Sequence, residues 1–492
     1  MSFVENLKKK SNETLTENGA LTNISTFSFC LDLFYMAGAM RNSNVETIID
    51  LVEKAFYENK DITMKILFFT RDVRGGLGER RFFKIAINTV AKIDVNAVKK
   101  NTPLIPEYGR WDDILTLYDI SELKSDIVRL IRNQLETDIL NMKSSADVSL
   151  LAKWLPSVNT SSKTTIRMAR KLAKDLEMTE SEYRKTLSSL RKYIDIIENR
   201  LREKDYTFDY SKQPSKALFK YKMAFIRNDN ERYMRFIRDV SNGKANLNTS
   251  TLYPYEIVRK IIEKQHFTED EINSLDATWN SLSDIENSQN AIAVVDGSGS
   301  MYWGLYSPKP YEVALSLGIY FAEHCKGVFK NHFITFSETP RLIEINGETI
   351  VDKVKYCCKY NECANTNVQA VFDLILNTAV ENNAKQDEIP EFIYIISDME
   401  FDSCAFINNH HITNYDLAKR KFKKKGYELP KVIFWNVGAR NMQVPVSRHE
   451  SGTALVSGSS PKLFDMVKSG QLNPYNLMMD IISSERYNKI TA

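Results

Sequence analysis

Over residues 31–264 the apolar positions recur every three or four residues, as in Val45-x2-Ile48-Ile49-x-Leu51-Val52-x3-Phe56 and Tyr183-x3-Leu187-x2-Leu190-x2-Tyr193-x2-Ile196-Ile197. That period predicts a nearly all-α first half. The helices follow one another as antiparallel-looking pairs, which predicts a HEAT-like solenoid able to close into a ring, although no repeat of fixed length is visible. Residues 268–289 turn polar (TEDEINSLDATWNSLSDIENSQ) and predict a linker whose Trp279 docks on a neighbour. Past it the rhythm changes. Short β-rich apolar runs at 291–295, 332–336, 392–396 and 432–435 are separated by stretches of helical period at 311–324 and 368–380. Strands alternating with helices predict a doubly wound parallel sheet. The expected division is therefore 1–267 helical, 268–289 linker and 290–492 α/β.

A chain of 492 residues exceeds what one core usually holds, in keeping with two domains. With 43% apolar and 26% charged residues the composition is that of an ordinary globular protein. No apolar run reaches the length of a membrane span, and the chain opens MSFVENLKKK without the apolar centre of a signal peptide. The six cysteines show no paired metal spacing; Cys357 and Cys358 are adjacent and poorly placed to close one zinc tetrahedron with Cys363. Their usage predicts a reducing compartment, cytoplasm or nucleus. The net charge of +3 hides an asymmetry: residues 151–250 carry about 22 Lys and Arg against about 12 Asp and Glu. A basic middle suits a polyanionic partner as well as it suits solvated helix faces.

The first predicted strand runs into Asp296-Gly297-Ser298-Gly299-Ser300. In a doubly wound sheet this is the ligand edge. A phosphate-binding loop would need a lysine after its last glycine, and none follows. A nucleophile elbow would need glycines two residues either side of the serine, where Asp296 and Ser300 stand instead. A calcium loop would need further carboxylates. What remains is one carboxylate and two hydroxyls on a tight turn, an oxygen-rich set that suits a divalent metal, or else a Gly/Ser turn that caps the next helix. Asp398 follows another predicted strand and so reaches the same edge, and the hydroxyl of Thr366 precedes a predicted helix.

Asp296, Ser298, Ser300, Thr366 and Asp398, in this order and spacing, resemble the metal-ion-dependent adhesion site of von Willebrand factor type A domains. The resemblance covers about the last 200 residues. It implies a type A fold, a divalent cation (Mg²⁺, or Mn²⁺ or Ca²⁺) held by these five residues, and an open coordination position filled by an acidic oxygen of a protein partner. Such sites bind rather than catalyse. Metal-assisted hydrolysis, for example of RNA, is the remaining enzymatic alternative.

In the helical half, "TRDVRGGLGERR" (70–81) joins two apolar-periodic helices through glycines. Its arginines either pair with acids such as Asp72 and Glu79 to fix helix packing, or bind phosphate at a helix N-terminus. "YGRWDD" and "AKWLPS" combine an aromatic with cations, a composition shared by base-stacking surfaces and by ordinary helix packing. "KTTIRMARK" spaces cations along one helix face, and "KRKFKKKG" (419–426) is a cation run explained by a helix C-terminus. With "SKALFKYKMAFIRND", "LYPYEIV", "DGSGSM" and "SDMEFD", these motifs resemble a family known only as a domain of unknown function, over about residues 18–487. More remotely the architecture is similar to the TROVE module of Ro autoantigens. That likeness implies RNA binding by the helical half, of single-stranded or structured noncoding RNA, as part of a ribonucleoprotein. Chemistry nominates Arg71, Arg74, Arg80, Arg81, Arg110, Lys163, Arg167, Arg170 and Lys171 as contacts. The competing expectation is an adaptor that grips an acidic protein through its metal and binds no RNA.

Overall fold

The computed structural model describes residues 3–285, 290–304, 308–361, 366–403, 405–407, 410–467 and 472–492. It has a helical region followed by an α/β region. Several helices of the first region start where the sequence supplies a cap. Ser28 caps Phe29–Ala37, Asn44 caps Val45–Glu58 and Asn59 caps Lys60–Arg71, each side chain accepting a bond from an orphan N–H of the first turn. Such caps contribute about 1 kcal/mol apiece. The apolar stripe of Val45–Glu58 (Ile48, Leu51, Val52, Ala55, Phe56) is wholly buried, which is what its period requires.

Two short strands, β1 (Glu13–Leu15) and β2 (Leu21–Asn23), form an antiparallel hairpin near the amino end. The α/β region is built on a six-stranded sheet of β3 (Ala291–Asp296), β4 (His332–Phe336), β5 (Leu342–Glu344), β6 (Phe392–Ser397), β9 (Lys431–Asn436) and β10 (Thr453–Ser457); β7 (Phe406–Ile407) and β8 (His410–His411) make a separate small ribbon. The order is β10-β9-β6-β3-β4-β5. Five strands are parallel, and β5 closes one edge antiparallel to β4. The chain runs from β3 outward to β4, then returns to the other side of β3 for β6 and β9. The crevice between the carboxyl ends of β3 and β6 is thus the topological switch point, where such sheets place ligands. β3 and β6 are buried along their whole length, so their near-continuous apolar sequences are those of central parallel strands.

The stretch expected as a linker is mostly a helix, Glu269–Asn280. Thr268 and Glu271 form a reciprocal capping box at its start, a start signal that outweighs the polar composition. Trp279 is 3% exposed, and its indole N–H donates to Glu323 at 2.6 Å. The two regions share one apolar core. Gly38 abuts Ser457 of β10 so closely that a Cβ there would lie 2.6 Å from the Ser457 backbone. Near the carboxyl end, the Arg486 guanidinium and the Tyr487 hydroxyl (3.0 Å) both donate to the buried carboxylate of Asp72.

A smaller cluster around Ile197, Phe208, Tyr210, Phe225, Tyr233 and Ile237 forms its own core, and beside it lies an anomaly. Lys222 is buried among Leu218, Phe219, Tyr233, Phe236 and Leu247; its ammonium makes no hydrogen bond among the described residues and stands 3.9 Å from the Phe219 ring centre. Burial, reinforced by Lys260, draws its pKa down to about 7. The unfolded chain therefore binds a proton that the folded chain releases between about pH 7 and 10, so this residue penalises folding most below pH 7. Lys222→Met is expected to stabilise the protein by a few kcal/mol, on the order of its pKa displacement, at pH 6. The gain should shrink steadily as urea melts are repeated toward pH 10; a pH-independent gain would assign it to packing alone.

Candidate metal centre

Asp296 ends β3 fully buried. Its Oδ1 accepts the Ser298 N–H at 2.8 Å and its Oδ2 accepts the Ser397 hydroxyl at 2.5 Å. The Ser298 and Ser300 hydroxyls lie 2.9 Å apart, and the Ser300 hydroxyl reaches Asp398. Asp398 follows β6 and is 3% exposed. Next to it Met399 takes a left-handed backbone (φ 67°), uncommon for a side chain of this kind, while the Ser397 hydroxyl accepts the Met399 N–H at 3.0 Å. Thr366, 2% exposed, precedes the helix Val368–Glu381, which Asn367 caps. Its hydroxyl accepts from Asn18 at 3.3 Å. These contacts join four of the residues expected from the sequence, Asp296, Ser298, Ser300 and Asp398, at the switch-point crevice, and Thr366 meets the loop after β6, its carbonyl accepting the Asp402 N–H at 3.0 Å.

Burial, and after it the neighbouring Asp398, push the Asp296 carboxyl far above the usual carboxylate range. Burial likewise raises Asp398, against the pull of Ser300 and Arg440. Arg440 brings a cation, its Nε 3.4 Å from Asp398 Oδ2, yet neither atom makes a hydrogen bond among the described residues. Two desolvated carboxylates with one uncommitted oxygen and three hydroxyls are a hard, all-oxygen donor set, and they fit a small divalent cation. Among the described residues no three His, Cys, Asp or Glu side chains converge for a metal, so the hydroxyls are indispensable to this fit. Cys363 lies outside the described residues. Cys357 is buried, and burial with Cys358 beside it pushes its thiol up to about 12, which keeps it neutral.

Sequence reading missed several residues of this face. Ser397 and Glu400 flank Asp398 in "ISDME". Glu400 is 1% exposed and accepts from Asn441 (2.9 Å), Gln443 (2.7 Å) and the Glu17 N–H (2.7 Å). Arg440 follows β9, so the sheet-edge rule that selected Asp398 also selects it. Glu17 and Asn18 gave no signal beyond an Asn-Gly turn.

The cations nominated for RNA fare unequally. Arg71 is 1% exposed; its guanidinium meets the buried Asp113 carboxylate at 2.6 and 2.8 Å, which corrects its nomination as a surface contact. Arg80 pairs with Asp112 and, at 3.0 Å, with Asp113. Although burial raises Asp113, these two guanidinium groups hold it below the ordinary range. Arg74 and Arg81 donate to the carbonyls of Glu107 (3.0 Å) and Ser43 (2.9 Å). The arginine turn is thus a packing corner, but its acids are Asp112 and Asp113; Asp72 holds Arg486, and Glu79 holds Arg41. Arg110 stacks 4.4 Å above Trp154, which is half-buried rather than core. On the helix Lys163–Asp175, Arg170 pairs with Glu180 and Lys171 with Asp119, whereas Lys163 and Arg167 are exposed. In the 419–426 run, Lys419 and Lys421 pair with Glu450 and Asp373.

Comparison with known proteins adds kinship. One family model, described as a domain of unknown function (DUF2828), matches residues 16–93 and 118–290. A second (DUF7788) matches residues 290–478, so the two meet at the residue before β3. The uncharacterised protein L728 of Acanthamoeba polyphaga mimivirus is 30% identical, over 98% of this chain and 89% of that protein. Among solved structures, the Ro (RSR) protein of Deinococcus radiodurans aligns over 92% of this chain and 93% of its own at 12% identity, with a TM-score of 0.39. The chain belongs to the family defined by the DUF2828 domain of unknown function.

Proposed function

We propose that this chain is a non-catalytic binding protein whose α/β half, similar to a von Willebrand factor type A domain, works through a divalent-cation site of the adhesion type. The observation that carries the reading is the pairing of Asp296 and Asp398, buried and mutually repelling, beside the hydroxyls of Ser298 and Ser300 at the switch point. Asp296 and Asp398 would hold the ion, Mg²⁺ foremost, together with those hydroxyls. When bound, the ion supplies a hard acceptor for one further acidic oxygen. Ser397 fixes the Asp296 carboxylate through Oδ2, and the Ser298 N–H fixes it through Oδ1. The aim of the donors is set before anything binds.

A second reading, RNA binding by the helical half, is favoured by the cationic surface there. A cleft of about 720 Å³ is lined by Arg184, Arg191 and Lys192, with Arg200 and Arg202 paired there to Asp195 and Glu203. Arg191 spends three bonds on Ala152, Leu155 and Ser157. Together with the exposed Lys163 and Arg167 this surface would meet a phosphate backbone.

Adding Mg²⁺ at a concentration about a hundredfold above its dissociation constant is expected to stabilise the wild type by about 2.7 kcal/mol, read as a rise in melting temperature. Asp296→Ala should abolish that rise. A wild type that melts identically with and without Mg²⁺ or Mn²⁺ rules the site out. For RNA, affinity for a single-stranded oligonucleotide should fall steeply with salt, and replacing Lys163, Arg167, Arg184 and Lys192 by Gln should flatten the log–log slope by about 0.7 per lost phosphate contact. Absence of binding at low salt removes the second reading.

A further inference from the structure

The metal face is covered by the chain's own amino-terminal hairpin. Its strands are anchored away from the metal residues: the Val444 N–H donates to the Asn23 carbonyl at 2.8 Å and the Thr22 hydroxyl donates to the Val444 carbonyl at 2.8 Å. Its turn, Thr16-Glu17-Asn18-Gly19, lies along the loop that follows β6. The Thr16 hydroxyl donates to the Phe401 carbonyl at 2.6 Å, the Glu17 N–H donates to the Glu400 carboxylate at 2.7 Å, and the Ser403 N–H donates to the Asn18 carbonyl at 3.2 Å. Gly19 bridges to Asp402 with φ 86°, a left-handed backbone that glycine adopts without strain.

The side chains of the turn go further. Asn18 Nδ2 donates to the Glu400 carbonyl at 2.7 Å and to Thr366 Oγ1 at 3.3 Å. Glu17 presents its carboxylate to Arg440 Nη2 at 2.5 Å, the guanidinium whose Nε faces Asp398. The turn therefore meets two of the five donor residues, Thr366 directly and Asp398 through one shared cation. An exposed acid, 53% accessible at its side chain, has no packing reason to be held there.

On the metal reading given above, the geometry points to the Glu17–Asn18 turn as the built-in acidic occupant of the site. Glu17 supplies in cis the carboxylate oxygen that an adhesion-type site takes from a partner, and Arg440 holds that carboxylate beside the metal face. Asn18 fixes the Thr366 hydroxyl. Two consequences follow for the molecule. Metal binding latches the hairpin onto the α/β half, and an external acidic ligand reaches the ion only by displacing Glu17.

The test uses the full chain with Mg²⁺ as the probe and four proteins: wild type, Glu17→Gln, Glu17→Ala and Asp296→Ala. Glu17→Gln keeps the size of the side chain and removes its charge, and its exposed ion pair contributes little to stability, so melting without metal should match the wild type. Its Mg²⁺ affinity, read by calorimetry, should fall about tenfold or more. Mg²⁺ should slow proteolysis within residues 13–23 in the wild type and not in the variant. In Glu17→Ala, added acetate should restore tight Mg²⁺ binding. If the wild type binds Mg²⁺, Asp296→Ala does not, and Glu17→Gln matches the wild type, the built-in occupant is overturned while the metal site stands. If the wild type binds neither Mg²⁺ nor Mn²⁺, both fall together.

Discussion

Two carboxylates that share one dry crevice repel each other, and a folded chain tolerates that when one of them keeps a proton or a counter-charge is at hand. Asp296 and Asp398 stand in this relation at the ends of neighbouring parallel strands. The surrounding architecture follows from it. The strand order puts their ends at the switch point, Ser397 and the Ser298 N–H pin one carboxylate, and Arg440 approaches the other without bonding to it. The amino-terminal hairpin then closes over the same place.

The covering turn is one of several contacts that join the two regions. The helical part leans on β10 through Gly38 and Ser457, Trp279 fastens the intervening helix to Glu323, and Arg486 with Tyr487 returns the carboxyl end to Asp72 of the arginine turn. Asp72 is buried with these donors around it, and losing one partner of such a group costs more than the pair contributes.

Much of this was legible in the sequence because it is local. The strand runs at 291–295, 332–336 and 392–396 match β3, β4 and β6 within a residue, since a buried parallel strand writes itself as a continuous apolar run. The placement of Asp296 and Asp398 was legible for the same reason: each stands at or just beyond the carboxyl end of a strand. The capping box at Thr268 was overlooked because acidic residues in a first helical turn read like a linker. Arginine roles were the least legible. Whether Arg71 meets Asp113, 42 residues away, or a phosphate depends on a contact that no local pattern carries. Glu17 and Asn18, more than 340 residues from Thr366, are the same problem at longer range.

The central claim is that the ion belongs among Asp296, Ser298, Ser300, Thr366 and Asp398. Anomalous diffraction from crystals grown with Mn²⁺ locates the ion without reference to activity. The account predicts one strong manganese peak within ligating distance of Asp296 and the serine hydroxyls, beneath the Glu17–Asn18 turn. A crystal saturated with Mn²⁺ whose peak lies elsewhere, or which shows none, contradicts it.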